Sequence, residues 1–140
     1  MTSALVQKLE AWREHDFHGD RQLADECLIA DGWSVERDED FEGGIRWFHG
    51  VNPQVSSAEK HRPHPIHDLN AAVALIPYKM DWTIGRITGG PLSNKPGPRY
   101  VAEISDYDGR IPDVAGESSE LTVAVCIAAI KAITALKEAA

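Results

Sequence analysis

Apolar residues recur every three or four positions in four segments of the chain, which is the spacing of one face of an α-helix. The segments are residues 4–15, 20–31, 68–76 and 119–138. Pro77 ends the third helix, because proline cannot donate the hydrogen bond that would continue it. The last segment has the widest apolar stripe, so we expect it to cover a sheet or another helix, with a dimer contact as the alternative.

Apolar and polar residues alternate in four other segments, which is typical of strands with one buried face. These are residues 33–37, 45–48, 80–87 and 99–105. Strands that are neighbours along the chain usually pair, so each pair is expected to form an antiparallel hairpin. The pattern predicts an α+β fold in the order ααββ-αββα, with helices packed on a small antiparallel sheet.

The chain of 140 residues fits one domain, residues 1–140. The segment 50–65 contains three prolines and no periodicity, which predicts a long irregular loop. Residues 89–98 and 107–116 are expected to be shorter loops. Asp20 is predicted to cap the second helix, Gly32 to follow its end, and Ser118 or Ser119 to cap the last helix.

Charge and apolar run length exclude several functions. The chain has 14 Lys and Arg against 22 Asp and Glu, a formal net charge of -8. Such a chain repels phosphate backbones, so nucleic acid is disfavoured as a partner unless a local basic patch exists. A basic protein surface that normally binds nucleic acid is another candidate partner. No apolar run reaches the roughly 18 residues that a membrane span needs. The first residues lack a signal-peptide layout, and Cys27 and Cys126 are expected to be buried free thiols, which predicts a cytoplasmic protein.

Familiar catalytic and cofactor motifs do not occur in the sequence. There is no phosphate-binding P-loop, dinucleotide-binding glycine pattern, nucleophile elbow or zinc-protease helix, so we predict no cofactor and favour a non-catalytic protein. The segment 105–113 contains a fragment of a calcium-loop pattern, formed by Asp106, Asp108 and Asp113, but the closing glutamate of that pattern is missing. The Asp-Gly pair in this segment therefore predicts a turn.

Histidines are the best metal candidates. His61, His64 and His67 are spaced three apart, and imidazoles are ligands for Zn²⁺ or Ni²⁺. The intervening prolines favour an extended backbone, which would spread the rings over about 20 Å. A solvated loop is therefore the favoured interpretation and a metal site its alternative. The same alternatives apply to a second cluster: His15, Asp16, His18 and Asp20.

Arginines stand on the predicted strands or at their ends, together with aromatic residues. Arginine presents a planar fork of donors that suits phosphate or carboxylate. The arginines are Arg37, Arg46, Arg86, Arg99 and Arg110, and the aromatic residues are Trp47, Trp82 and Tyr100. In a nucleotide site, Arg86, Arg99 and Arg110 would hold phosphates while Trp82 or Tyr100 stacks on the base. The alternative is that the aromatic rings are core and the arginines pair with acids.

Three blocks of the sequence resemble small phage and prophage proteins that carry a phage α–β–α (ABA) sandwich domain. They are DRQLADECLIADGW (20–33), HDLNAAVALIP followed by WTIGR (67–86), and LTVAVCIAAIKAI (121–133). The resemblance implies phage origin and action inside a bacterial cell. It carries over no catalytic residues.

These observations predict a non-catalytic accessory binding protein that counters a bacterial defence system. It would sequester a nucleotide signal with the arginines, or occlude a defence protein with the acidic stretch 38–42. One alternative is a small metal-assisted hydrolase that uses the histidines. Another is a structural or assembly protein of the virion. A homo-oligomer stays possible because of the wide apolar stripe on the last helix.

Overall fold

The computed structural model describes residues 3–12, 17–50, 55–87 and 99–140. Its helices are α1 (Ala4–Glu10), α2 (Phe17–Ala30), α3 (Leu69–Val73) and α4 (Leu121–Ala139). Its strands are β1 (Trp33–Arg37), β2 (Ile45–His49), β3 (Ser56–Ala58), β4 (Met80–Ile87), β5 (Arg99–Asp106) and β6 (Val114–Ser118). The predicted α+β class is confirmed, but the described strands form two three-stranded antiparallel sheets rather than one sheet.

Two of the strands are not marked by the sequence pattern. β3 and a short 3₁₀ turn (Glu59–His61) lie in the segment 50–65 that was predicted to be irregular; residues 51–54 are outside the described part. β6 lies at the end of the predicted loop 107–116. Both strands are short and poor in large apolar residues, and each extends a hairpin that is already formed, so pairing rather than periodicity defines them.

The first sheet has the order β1-β2-β3 and is built on the predicted hairpin. β1 pairs with β2 from Trp33 opposite His49 to Arg37 opposite Ile45. Trp47 of β2 is buried, and Trp33 is almost so. The sheet therefore joins the core through its indole rings, beside the end of α2. Gly32 connects α2 to β1 with a φ of 106°, which confirms the expected glycine after the helix end.

The second sheet has the order β4-β5-β6 and contains the other predicted hairpin. β4 pairs with β5 over its whole length, from Met80 opposite Asp106 to Ile87 opposite Arg99. Ala102 and Ile104 of β5 are buried and face α4. Residues directly opposite each other share a face, so the even-numbered residues of all three strands lie on the α4 side.

Helix α4 is the centre of the core. Every residue from Thr122 to Ile130 is buried, and the helix contacts β5, β6 and the other three described helices. A helix that is apolar on nearly all sides is expected to be enclosed by other elements. None of the described helices is long and apolar enough to cross a lipid bilayer.

Helix starts differ from the predictions in two places. α4 begins after Glu120, whose side chain makes no capping bond, and the Ser118 hydroxyl instead accepts from the backbone N–H of Glu120 at 3.3 Å. The predicted serine caps are therefore wrong. Asp20 is not a cap either, because α2 begins at Phe17 and Asp20 lies within its first turn. Asp68 does cap α3, accepting from the N–H of Asn70.

The two cysteines are buried and free, as predicted. Cys27 of α2 and Cys126 of α4 share a hydrogen bond, and this bond together with burial raises the pKa of the Cys126 thiol. Cys126 also donates to the backbone oxygen of Pro65 at 3.4 Å. Both thiols therefore act as packing groups between helices.

Gly116 in the middle of β6 allows α4 to lie directly on the second sheet. A Cβ at this position would be 2.4 Å from the Ala124 oxygen and 2.7 Å from the Ala128 nitrogen. Both atoms belong to the helix backbone, so neither can move without moving α4. The glycine is thus required by close approach and not by its backbone angles.

We expect Gly116→Ala to lower the free energy of unfolding by about 2 kcal/mol or more, because overpacking would push α4 off the sheet. Gly85→Ala is the matched control, since a Cβ at Gly85 meets nothing within 4 Å. Urea unfolding of both variants measures the difference. Equal stability of the two variants would contradict the close packing of α4 on β6.

Candidate binding surface

The arginines predicted to bind a ligand lie on different faces of the second sheet. Arg86 stands opposite Tyr100, so these two residues and Trp82 share the α4 side. Arg99 precedes Tyr100 in β5 and therefore points to the other side. Arg110 lies beyond the far end of β5 and pairs with Asp106, the last residue of that strand. At 3.3 Å per residue, Asp106 is about 23 Å from Arg99, the first residue of β5.

Two of these arginines are paired with acids. Arg99 Nε donates to a Glu117 carboxylate oxygen at 2.9 Å, and Arg110 Nε donates to an Asp106 oxygen at 2.8 Å. Arg99 also lines a groove of about 390 Å³ that contains Glu10, Glu117 and Lys131. Because the charges in this groove are mixed, it has no net attraction for phosphate.

The other predicted strand arginines do not join this group. Arg46 of β2 donates to Glu36 at 2.7 Å and lies over the rings of Phe41 and Phe48. Arg37 is exposed at the end of β1, in the first sheet. Of the predicted ligand residues, the structure places Arg86 beside Tyr100 and puts Trp82 on the same face about 13 Å away along β4, and it separates all three from Arg99 and Arg110.

The histidine segment packs onto the helices. Pro65 and Ile66 are buried, and the backbone oxygen of Ile66 accepts a hydrogen bond from the Thr122 hydroxyl of α4. His64 and His67 stack with their ring centres 4.1 Å apart and their planes 8° apart. Stacked rings direct their nitrogen lone pairs along parallel planes, so the two rings cannot both bind one metal ion in plane at about 2 Å.

No three histidine, cysteine, aspartate or glutamate side chains are grouped to hold a metal ion within the described ranges. His61 stands apart on the exposed 3₁₀ turn. Of the second cluster, His15 and Asp16 are outside the described residues. The geometry of the described histidines therefore favours packing over metal binding.

Asp20 links the histidine segment to α2. Its carboxylate is buried and accepts from Trp12 Nε1 at 2.8 Å, while its other oxygen is 2.7 Å from His67 Nε2. One turn later, Asp25 accepts from both Arg21 and Arg62. These hydrogen bonds hold the segment after the 3₁₀ turn against the helix. Sequence reasoning missed this network because its members are far apart along the chain.

Arg62 contributes to the same network from above Trp47. Its guanidinium carbon lies 5.2 Å from the centre of the indole ring, while its Nε donates to Asp25 at 2.8 Å. The two guanidinium groups lower the pKa of Asp25, although burial opposes this effect. Arg62 therefore joins the first sheet to α2, because its guanidinium group contacts both the Trp47 ring of β2 and the Asp25 carboxylate of α2.

His64 in this region has a lowered pKa. Burial, followed by the positive charge of Arg21, lowers its pKa to about 4. Its Nδ1 is buried without a hydrogen-bond partner among the described residues. Since the unfolded chain takes up this proton near the ordinary histidine pKa, the folded state loses stability as the pH falls from about 6.5 to 4.

We expect His64→Phe to reduce the loss of unfolding free energy between pH 6.5 and 4, because phenylalanine cannot be protonated. The free energy measured by urea unfolding at a series of pH values gives the comparison. His61→Phe, on the exposed turn, should follow the wild-type profile. If His64→Phe also keeps the wild-type profile, His64 is not the group responsible.

The turn between β5 and β6 is locked by Asp106. One of its oxygens accepts from the N–H of Asp108 at 3.1 Å, and the other accepts from the N–H of Arg110 at 2.8 Å. Gly109 supplies a φ of 68°, which confirms the turn predicted from the Asp-Gly pair. The Arg110 side chain is the main cause that lowers the pKa of Asp106 to about 2.

Two tyrosines project from this end of the second sheet. Tyr78 precedes β4 and is 86% exposed, and Tyr107 follows β5 and is 79% exposed. The N–H of Tyr107 donates to the backbone oxygen of Lys79 at 3.3 Å, so the two segments meet. We call Tyr78, Lys79, Tyr107 and Asp108 the tyrosine surface. Sequence reasoning missed it, because it assigned Tyr107 to a loop and gave Tyr78 no role.

The acidic stretch 38–42 is folded into a compact connection between β1 and β2. Asp38 donates its N–H to Gly44 and accepts from the N–H of Asp40. Glu42 pairs with Lys60 at 2.7 Å. Glu39 and Asp40 are exposed, so the acids at the centre of the stretch face water.

Comparisons of this chain with protein-family models, with curated proteins and with solved structures found no match.

We expect Asp106→Asn to loosen the turn, because an amide oxygen is a weaker acceptor than a carboxylate for the two N–H groups and Arg110. Hydrogen exchange of residues 107–111 should become faster, while exchange in α4 stays unchanged. Asp113→Asn, farther along the same connection and exposed, is the control. Unchanged exchange in the Asp106 variant would contradict its role.

Proposed function

We propose that this chain is a non-catalytic accessory binding protein of a phage or prophage that acts inside the bacterial host by covering a defence protein. The observation that carries the proposal is the tyrosine surface. Tyr78 and Tyr107 expose most of their rings from adjoining segments at one end of a sheet. Large exposed aromatic side chains held on an ordered frame are typical of protein-binding surfaces.

The turn between β5 and β6 favours binding because its backbone is already ordered and loses little conformational entropy when a partner binds. Asp106, directly before Tyr107, already fixes the backbone that follows this tyrosine by accepting hydrogen bonds from the N–H groups of Asp108 and Arg110. Association is weakened by the entropy of ordering loops and side chains at the interface. Because Tyr107 lies in a turn held by hydrogen bonds, its binding avoids most of the entropy that ordering a loop would cost.

Charge indicates the chemistry of the partner. The chain carries a net charge of -8, and the acids at the centre of the stretch 38–42 are exposed. At the tyrosine end of the sheet the exposed Asp81 and Asp108 are offset by the exposed Lys79 and Arg110. The excess of acids over the whole chain is therefore what favours a partner surface rich in lysine and arginine. The surface with which a defence protein binds nucleic acid has that character, and the exposed acids of the stretch 38–42 would add to the attraction.

The nucleotide-sequestering version of the function has less support. A nucleotide phosphate needs guanidinium groups that converge, whereas Arg99 and Arg110 hold acids and lie far apart. The metal-assisted hydrolase is disfavoured in the same way by the stacked rings of His64 and His67. The exposed tyrosines do not distinguish a defence protein from a virion protein as the partner, because an assembly partner would cover them equally well.

We expect the wild-type chain, expressed in bacteria that carry a defence system, to raise the plaque count of a phage which that system restricts. The double variant Tyr78→Ser with Tyr107→Ser should abolish this effect, because removing two central aromatic contacts weakens an interface by roughly 100-fold. Val35→Ser, an exposed apolar residue of the other sheet, is the control and should act like the wild type.

Two measurements separate this proposal from its alternatives. Calorimetry with cyclic nucleotides and ADP-ribose derivatives should give no heat; binding that survives in the double variant would favour sequestration instead. Mass spectrometry of purified phage particles should not find the chain, and its presence there would favour the virion role. A photo-crosslinker at position 107 should link a basic protein in infected cells, and no crosslink would contradict the tyrosine surface.

A further inference from the structure

The outer edge of β4 is open among the residues that the structure describes. β4 pairs with β5 on one side, and no other described strand pairs with its second side. Six of its eight residues are exposed. An eight-residue strand with a free edge is a template for pairing with another strand.

The hydrogen bond between Tyr107 and Lys79 identifies which residues form that edge. The Tyr107 N–H donates to the Lys79 oxygen, so odd-numbered residues of β4 direct their backbone groups toward β5. Directions alternate along a strand, so the N–H and C=O groups of Trp82, Ile84 and Arg86 point to the free edge. The side chains of the same residues lie on the α4 side of the sheet.

The opposite edge of the same sheet is protected. Lys131 of α4 donates from Nζ to the Ala115 oxygen of β6 at 2.8 Å, and so covers that edge with a charged side chain. Charged side chains, above all lysine, and proline are among the devices with which natural sheets block their edges. β4 contains no lysine or proline, and its charged residues are Asp81 and Arg86. Among the described residues, its edge is therefore available for pairing.

We propose that β4 pairs with β4 of a second copy of this chain, antiparallel and centred on Ile84. A two-fold axis perpendicular to the sheet then places Ile84 opposite Ile84 of the second copy. It also places Trp82 opposite Arg86 of the second copy, twice over by symmetry. The two three-stranded sheets would become one continuous sheet joined by about six backbone hydrogen bonds.

Complementarity of the side chains supports a second copy as the occupant. Trp82 is 42% exposed, and Arg86 is also exposed, so both are available on this face. A guanidinium group over an indole ring is attracted by the electrons of the ring, and the central pair of isoleucines buries apolar surface. Pairing centred on Thr83 would instead place Arg86 against Met80, which is almost buried and offers the charge no partner.

The proposed dimer goes beyond the proposed function and does not rest on it. The tyrosine surface lies at the end of the sheet where β4 begins, and Tyr78 is about 20 Å from Ile84 along the strand. Pairing centred on Ile84 therefore places the two tyrosine surfaces at opposite ends of the joined strands. None of their four residues belongs to the paired segment from Trp82 to Arg86.

Sedimentation of the full chain from micromolar to submillimolar concentration tests the dimer. We expect a species of twice the 15.4 kDa chain mass to appear with concentration. Ile84→Pro should abolish it while the β4–β5 ladder is kept, because the Ile84 N–H points outward. Arg86→Glu should weaken it by roughly tenfold through loss of the contact with Trp82. Arg37→Glu, an exposed strand arginine of the first sheet, is the control and should leave it unchanged.

Cysteine pairing tests the register. Ile84→Cys should form an intermolecular disulfide on mild oxidation, because directly opposite residues of a hydrogen-bonded pair have Cα atoms about 5.5 Å apart. Thr83→Cys should not. A monomer at all concentrations, a dimer that ignores both Ile84→Pro and Arg86→Glu, or a link through Thr83→Cys alone would each overturn the proposal. If Ile84→Pro does not fold, Arg86→Glu and the cysteine variants decide.

Discussion

The close approach of α4 to β6 at Gly116 is the constraint on which the rest of the structure depends. The helix backbone lies where a Cβ of that residue would be, so the helix and the second sheet form one unit. Nearly every residue of the first three turns of α4 is then buried, and each buried isoleucine contributes roughly 1.5–3 kcal/mol. The other three described helices and the histidine segment pack around this unit.

The same packing decides which surfaces are free. α4 covers β5 and β6 but has little contact with β4, so β4 projects beyond the helix with Trp82 and Arg86 at its edge. The tyrosine surface lies at one end of that strand. The polar network of Asp20, Asp25 and Arg62 joins α2 to the segment before α3.

The histidines, arginines and cysteines that were candidates for ligand or metal binding mostly stabilise the folded chain instead. His64 stacks on His67, and His67 pairs with Asp20 of α2. Arg99 and Arg110 pair with carboxylates, and the thiols of Cys27 and Cys126 pack between helices. The surfaces that stay available are made of exposed aromatic side chains and unpaired backbone groups. These features support the proposed binding to another protein.

The sequence by itself determined the α+β class, the two hairpins, the buried thiols, the turn at Gly109 and the long apolar helix. Each of these follows from local periodicity or from turn chemistry, which neighbouring residues carry. Only the tertiary structure decided that Arg86 and Arg99 face opposite sides, that Asp20 meets His67, and that β3 and β6 are strands. Those outcomes depend on register and on contacts between distant segments, and a one-residue change of register would reverse the face of every side chain on a strand.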